Sequence, residues 1–210
     1  VGTGRGYGRL QVKLGSLKVG TITTSASSAR RQVLKALPAF AARSGTLTVT
    51  TLDGKPVSLA ELKGKWVALE WTNPDCPFVQ KHYSAGNMQA TQRAAAESKV
   101  VWVQINSTNP SHQDHKSARQ MSEWLVAMKA SPTHAALDES GTVGKAYAEK
   151  TTPHMYLIDP GGQLVYNGAI DDRRSTNPPD IPGARNHVKA AIAEAVSGKS
   201  LGTDLNKQKA

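Results

Sequence analysis

The 210-residue chain predicts an α/β fold with a central sheet covered on both faces. Two observations carry that expectation. Short runs with strand character alternate with longer segments of helical periodicity from residue 46 onward, and two of the strand runs, Lys65-Trp66-Val67-Ala68-Leu69-Glu70-Trp71-Thr72 and Val100-Val101-Trp102-Val103-Gln104-Ile105-Asn106, are largely apolar, as strands buried on both faces are.

Each element has its own signal. Thr46-Leu47-Thr48-Val49-Thr50 alternates polar and apolar residues as a strand, and Asp53-Gly54-Lys55-Pro56 is a turn. Ser58 to Leu62 has the spacing of a capping box and predicts a short helix start. After the loop Asn73-Pro74-Asp75-Cys76, a single helix is expected from Phe78 to about Glu97, with Pro77 at its first position, where the missing N–H costs nothing. Ser111 to Lys129 predicts a helix with Met121, Trp124, Leu125 and Met128 on one face. His134 to Asp138 is a short strand and Val143 to Glu149 a short helix. Met155 to Asp159 and Gln163 to Asn167, joined by Pro160-Gly161-Gly162, form a hairpin. A loop rich in Pro and Asp runs from Asp171 to Gly183, and an amphipathic helix from about Arg185 to Ser197 closes the domain.

The net charge of +10 is unevenly placed. Residues 1–52 hold eight basic residues and no acidic one, whereas residues 53–210 hold 18 basic and 16 acidic residues and are nearly neutral, which argues against a nucleic-acid surface. No stretch approaches the roughly 18 apolar residues of a membrane span. An acid-free Arg/Ser/Thr/Gly-rich opening cannot bury enough apolar surface to offset its ordering entropy, so residues 1–43 are expected to be a disordered leader, 44–200 the folded domain and 201–210 a flexible tail. Within the leader, Arg30-Arg31 followed by a short apolar run and small residues resembles a twin-arginine export signal, which implies a periplasmic or exported protein. An organelle transit peptide and a plain basic tail are the rival readings of the same composition.

One cysteine among 210 residues rules out an internal disulfide, a Cys-cluster zinc site and a chain-held iron–sulfur cluster. Cys76 falls at a strand-to-helix turn, where unpaired backbone N–H groups and the helix dipole favour a thiolate, so its pKa is expected below the free-thiol value of about 8.5. Lys81 and His82 one to two turns on would add positive potential and Asp75 would oppose it. The bland alternative is a buried, inert thiol. His112 and His115 share a face of the expected helix, but no third ligand follows at a recognisable spacing, and no metal site is assigned. A hydrolase triad can be drawn from Cys76, His154 and Asn106, on a pattern too common to support it.

The order of elements, with Trp71-Thr72-Asn73-Pro74-Asp75-Cys76-Pro77-Phe78-Val79-Gln80-Lys81-His82-Tyr83 at the turn, resembles the cysteine motif of the redoxin and peroxiredoxin-like (alkyl hydroperoxide reductase/thiol-specific antioxidant-like) branch of the thioredoxin superfamily. Thr151-Thr152-Pro153-His154-Met155-Tyr156-Leu157-Ile158-Asp159 is similar to that branch's strand bearing the cis-proline, and Gly168 to Asp172 after the hairpin also matches. The resemblance covers about residues 45–200. It implies a thioredoxin-like fold, a central mixed sheet with helices on both faces, with Cys76 catalytic and Thr72, Asn73, Pro77, Thr152 and Pro153 around the substrate. It implies a cis bond before Pro153 as well, with the backbone of Thr152 presented to an extended substrate.

The chain departs from the family where mechanism is decided. Asn73 stands three residues before Cys76 and Val79 three after, so no Cys-x-x-Cys dithiol exists, and Thr72 is four residues before the cysteine rather than the three of a peroxiredoxin. Turnover would then need an external thiol reductant to resolve a sulfenic acid or mixed disulfide formed with a peroxide or protein disulfide, and no cofactor. The implied role is antioxidant thiol chemistry and redox homeostasis. The alternative is a non-catalytic binding module whose cis-proline surface holds an extended peptide.

Overall fold

The computed structural model describes residues 48–199. The expected leader over 1–43 and tail over 201–210 lie outside the described residues. Seven strands form one mixed sheet: β1 (Thr48–Thr51), β2 (Pro56–Ser58), β3 (Val67–Trp71), β4 (Val101–Asn106), β5 (His134–Leu137), β6 (His154–Ile158) and β7 (Leu164–Gly168), in the spatial order β2-β1-β5-β4-β3-β6-β7. β3, β4 and β5 run parallel, while β1 is antiparallel to both β2 and β5, β6 to β3, and β7 to β6. The helices are α1 (Pro77–Ser84), α2 (Asn87–Glu97), α3 (Ala118–Ala127), α4 (Thr142–Ala146) and α5 (His187–Val196), with a 3-10 turn at Pro178–Gly183.

The period-two geometry of the strands sorts the apolar residues into two cores. On β3, Ala68 faces one side with Trp102, Met155, Leu157 and Tyr166, covered by Val79 and Tyr83 of α1, Met88 of α2, and Val188 and Ile192 of α5. Val67, Leu69 and Trp71 face the other with Val103, Ile105, Ile158 and Tyr156, covered by Val143 and Tyr147 at α4 and by Leu62. The expected α/β architecture with helices on both faces is therefore present, and its strand order and helical cover give a thioredoxin-like fold.

Four expectations about elements are corrected. The single helix from Phe78 to Glu97 is two helices, because the chain turns at Ala85-Gly86: Gly86 adopts φ +70°, a left-handed conformation that glycine takes without steric cost. The helix expected from Ser111 begins only at Ala118. Asparagine side chains divert the preceding backbone into turns, with Asn106 Oδ1 accepting from Thr108 N and Asn109 Oδ1 from Ser111 N, and a capping box of Ser117 and Gln120 starts the helix. Ser58 to Leu62 makes the expected capping contacts, Ser58 N to Glu61 Oε2 and Ala60 N to Ser58 Oγ, but its backbone forms successive turns rather than a helix. Pro56, expected in a turn, opens β2, an edge strand where its missing donor is tolerated.

Candidate functional site

β3 ends beside the start of β6, Trp71 opposite His154, so the loop that leaves β3 and the segment that enters β6 lie at one place. From β3 the chain passes Thr72, whose N–H still bonds Ile105 O at 2.9 Å, and then turns sharply. Asn73 makes that turn: its Oδ1 accepts from Asp75 N at 2.9 Å, its carbonyl accepts from Cys76 N at 3.0 Å, and its Nδ2 donates to Thr108 Oγ1 at 3.1 Å. Gln80 Nε2 reaches back from α1 to Pro74 O at 3.1 Å. Cys76 becomes the N-cap of α1, in an extended conformation (φ −73°, ψ 123°), and its carbonyl receives the first helical bond from Gln80 N. Pro77 follows at the first helical position, no acidic residue occupies the first turn, and no side chain caps its N–H groups.

Immediately before β6 the chain contributes Thr152-Pro153, joined by a cis peptide bond. Both residues and Cys76 are half-buried. The Cys76 thiol donates to the carbonyl oxygen of Thr152, with Sγ 3.0 Å away. That contact requires the proton on sulfur, since carbonyl oxygen and sulfur anion are both acceptors. Of the six residues singled out from the sequence, Cys76 and Thr152 are in direct contact and Pro153 shares the cis bond with Thr152. Asn73 shapes the loop and Pro77 sits exposed on its helix end. Thr72 is buried, with a hydroxyl that has no hydrogen-bond partner among the described residues.

Glu70 was not singled out from the sequence, and Lys81 and His82 are not placed as expected. Glu70 on β3 is wholly buried, and Tyr83 OH (2.7 Å) and Trp102 Nε1 (2.8 Å) donate to it, with Gln92 and Gln104 amides at 3.3 Å. Burial pushes its carboxyl above the usual range, against these four donors. A charged residue in the middle of an otherwise apolar strand was the available signal. Lys81 is buried as well, its ammonium donating to Asp171 Oδ2 at 3.3 Å and to Arg173 O at 3.0 Å. His82 lies 3.8 Å from the same carboxylate oxygen, yet burial outweighs that charge and holds its pKa down to about 4, so it is neutral near pH 7. Neither Lys81 nor His82 is thus the free positive charge expected beside the thiol.

The other sequence candidates do not assemble. His154 bonds Asn167 and Tyr156, and Asn106 bonds Thr108 and Met121, so the drawn hydrolase triad does not form. His112 and His115 lie ahead of α3, near Asp114 and Glu139 respectively, and no group of three metal-ligating side chains occurs among the described residues.

The model of the AhpC/TSA family matches residues 33–167, more than half of the chain, including the Cys76 loop and the cis-proline strand. The chain belongs to the AhpC/TSA family. Solved structures agree on the fold of this AhpC/TSA protein. An uncharacterized conserved protein from Geobacillus kaustophilus is 24% identical with a TM-score of 0.65, over 79% of this chain and 85% of that one. A secreted disulfide oxidoreductase of Mycobacterium tuberculosis is 21% identical at a TM-score of 0.51, over 71% of this chain and 98% of that one. An exposed lipoprotein thioredoxin of Streptococcus pneumoniae gives 20% and 0.51, over 72% and 98%. Some of the structural neighbours are therefore secreted or surface-exposed proteins. Curated proteins yield no match. Membership in this redoxin family points to thiol oxidoreductase activity, and no helix among the described residues is long and apolar enough to cross a membrane.

Proposed function

We propose that this protein is a thiol oxidoreductase that works through Cys76 alone and is returned to the thiol by an external thiol reductant. The observation that carries the reading is the placement of a half-buried Cys76 at the N-terminus of α1, where no side chain caps the helix, beside the cis Thr152-Pro153 bond. A sulfur anion formed there meets first-turn N–H groups that no side chain satisfies.

With a hydroperoxide, the thiolate attacks the distal oxygen, the O–O bond breaks, and the leaving alkoxide or hydroxide takes a proton, leaving Cys76 as a sulfenic acid. A first external thiol condenses with it, releasing water and forming a mixed disulfide, and a second thiol displaces Cys76 as thiolate and departs as an oxidised pair. With a protein disulfide as substrate, Cys76 enters at the mixed disulfide directly. Val79 occupies the place of a resolving thiol, one helical turn from Cys76 and fully buried, which supports the external reductant. Asn73, Pro77 and the Thr152-Pro153 backbone form the proposed substrate surface, from which the buried Thr72 hydroxyl is withdrawn. An exported location is the reading that Arg30-Arg31 and the apolar run after it support.

The test treats the folded protein with one equivalent of hydrogen peroxide and measures mass with and without a sulfenic-acid trap. A trapped adduct on Cys76, discharged by added low-molecular-weight thiol, is the expected result. A thiol that stays reduced, in a chain that still binds an extended peptide at the Thr152-Pro153 surface, would replace this reading with that of a binding module.

A further inference from the structure

Asp75 precedes the sulfur directly, and a carboxylate there opposes the approach of anions and the formation of a sulfur anion. The structure answers that charge from a distant part of the chain. Lys116, in the loop between β4 and α3, donates its ammonium to Asp75 Oδ2, with the two side chains 24% and 42% exposed. The contact is built rather than incidental. Lys116 immediately precedes the capping residue Ser117, which anchors its backbone at the start of α3. The same loop is tied to the cysteine loop once more, by Asn73 Nδ2 to Thr108 Oγ1, and to the end of β3 by Trp71 Nε1 to Ser107 Oγ at 3.0 Å. Lys81, the other cation on the helix that Cys76 caps, is committed to Asp171. Asp75 and Lys116 also share the rim of a groove of about 740 Å³ between α1 and α3, with Trp124 and Met128 among its walls.

We propose that Lys116 is a positioning residue for the chemistry of Cys76: by holding the Asp75 carboxylate in an ion pair it keeps the approach to the sulfur nearly neutral, so that anionic disulfide substrates reach it as readily as neutral ones. The inference rests on the reading of Cys76 as a reactive thiol and deepens it by assigning the charge tolerance of the site.

The experiment compares second-order rate constants of the folded full chain with a neutral dipyridyl disulfide and with a dianionic aromatic disulfide carrying two carboxylates. In Lys116→Met the anionic reagent should slow by about threefold more than the neutral one, the size expected of a partly exposed ion pair. Lys116→Arg should keep the wild-type ratio, and adding Asp75→Asn to Lys116→Met should restore it. Raising salt should return the Lys116→Met ratio toward wild type, since the screening length falls to about 3 Å at 1 M. A purely structural role slows both reagents alike and leaves the ratio unchanged, which overturns the proposal. If Lys116→Met fails to fold, Lys116→Gln reads the same ratio. A wild-type thiol that reacts with neither reagent faster than in the denatured chain overturns the thiol reading and the Lys116 proposal together, whereas an unchanged ratio on a reactive thiol overturns the Lys116 proposal alone.

Discussion

Lys81 carries its ammonium to a place where about 1% of the side chain meets solvent, and it is matched there by Asp171, itself 5% exposed. Two desolvated charges of this kind gain little net stability as a pair but lose much when one is left alone. Lys81→Met should therefore destabilise the fold by about 3 to 5 kcal/mol, and Lys81→Met with Asp171→Leu should recover a large part of that. Urea denaturation of the two variants checks the expectation, and equal losses would show that the residues contribute through packing instead. The pair joins α1 to the segment after β7, so it also fixes the helix that Cys76 caps. Val79, 0% exposed in the first turn of α1, offers a second residue-scale test. Cα atoms three apart in a helical turn lie about 5 to 5.5 Å from one another, inside the range a disulfide spans of about 4.4 to 6.8 Å. Val79→Cys should thus close an intramolecular disulfide with Cys76 on mild oxidation, read as loss of both thiols without dimer on a non-reducing gel. Persistence of two free thiols would contradict the placement of the α1 N-terminus.

At the scale of elements, two glycines set the geometry around the site. Gly86 separates α1 from α2 at φ +70° with open space around it, so Gly86→Ala meets no clash and loses only backbone freedom. A cost of about 1 kcal/mol is expected from the left-handed conformation alone, seen as a small drop in Tm. Gly144 on α4 is different. A Cβ there would lie 3.1 Å from Ser107 Oγ and 3.4 Å from Trp71 Nε1, pressing on the hydrogen bond between them. Strand and helix identity were legible because burial imposes period-two and period-3.6 patterns that each segment displays by itself, and the cysteine loop was legible because Pro77 marks a helix start. The split at Gly86 was not. It sits between Ser84-Ala85 and an Ala-rich run in which apolar periodicity continues across the break. The late start of α3 was hidden in the same way: asparagine side chains took the backbone N–H groups of Thr108 and Ser111, a local competition that apolar spacing does not register. At the site, the nearness of Cys76 to Thr152 followed from the family pattern. The partners of Asp75, Lys81 and Glu70 are 41, 90 and up to 34 residues away, and no local pattern announces them.

For the whole molecule, buried titratable groups give opposing dependences on pH. His82 is held at about 4 against an ordinary 6.5, so the folded state binds its proton less well than the unfolded chain. Its contribution is present above pH 6.5 and is lost as pH falls toward 4, by about 3 kcal/mol at most. Glu70 is shifted upward, so its contribution is present below about 4.5 and lost as pH rises. The acid limb between pH 6.5 and 4 should flatten in His82→Gln, which keeps a polar group toward Asn87 and cannot titrate there. An unchanged limb in urea titrations would mean that His82 is not the group responsible.

The Cys76 loop and the Thr152-Pro153 segment meet at one sulfur, and its reactivity is the central claim. The direct measurement is the rate of Cys76 with a neutral dipyridyl disulfide at pH 7, in the folded chain and in the same chain denatured in urea. A folded rate at least several-fold above the denatured rate is expected for a half-buried thiol at an uncapped helix N-terminus. A folded rate equal to or below the denatured one would contradict it and leave the Cys76 loop as a structural turn.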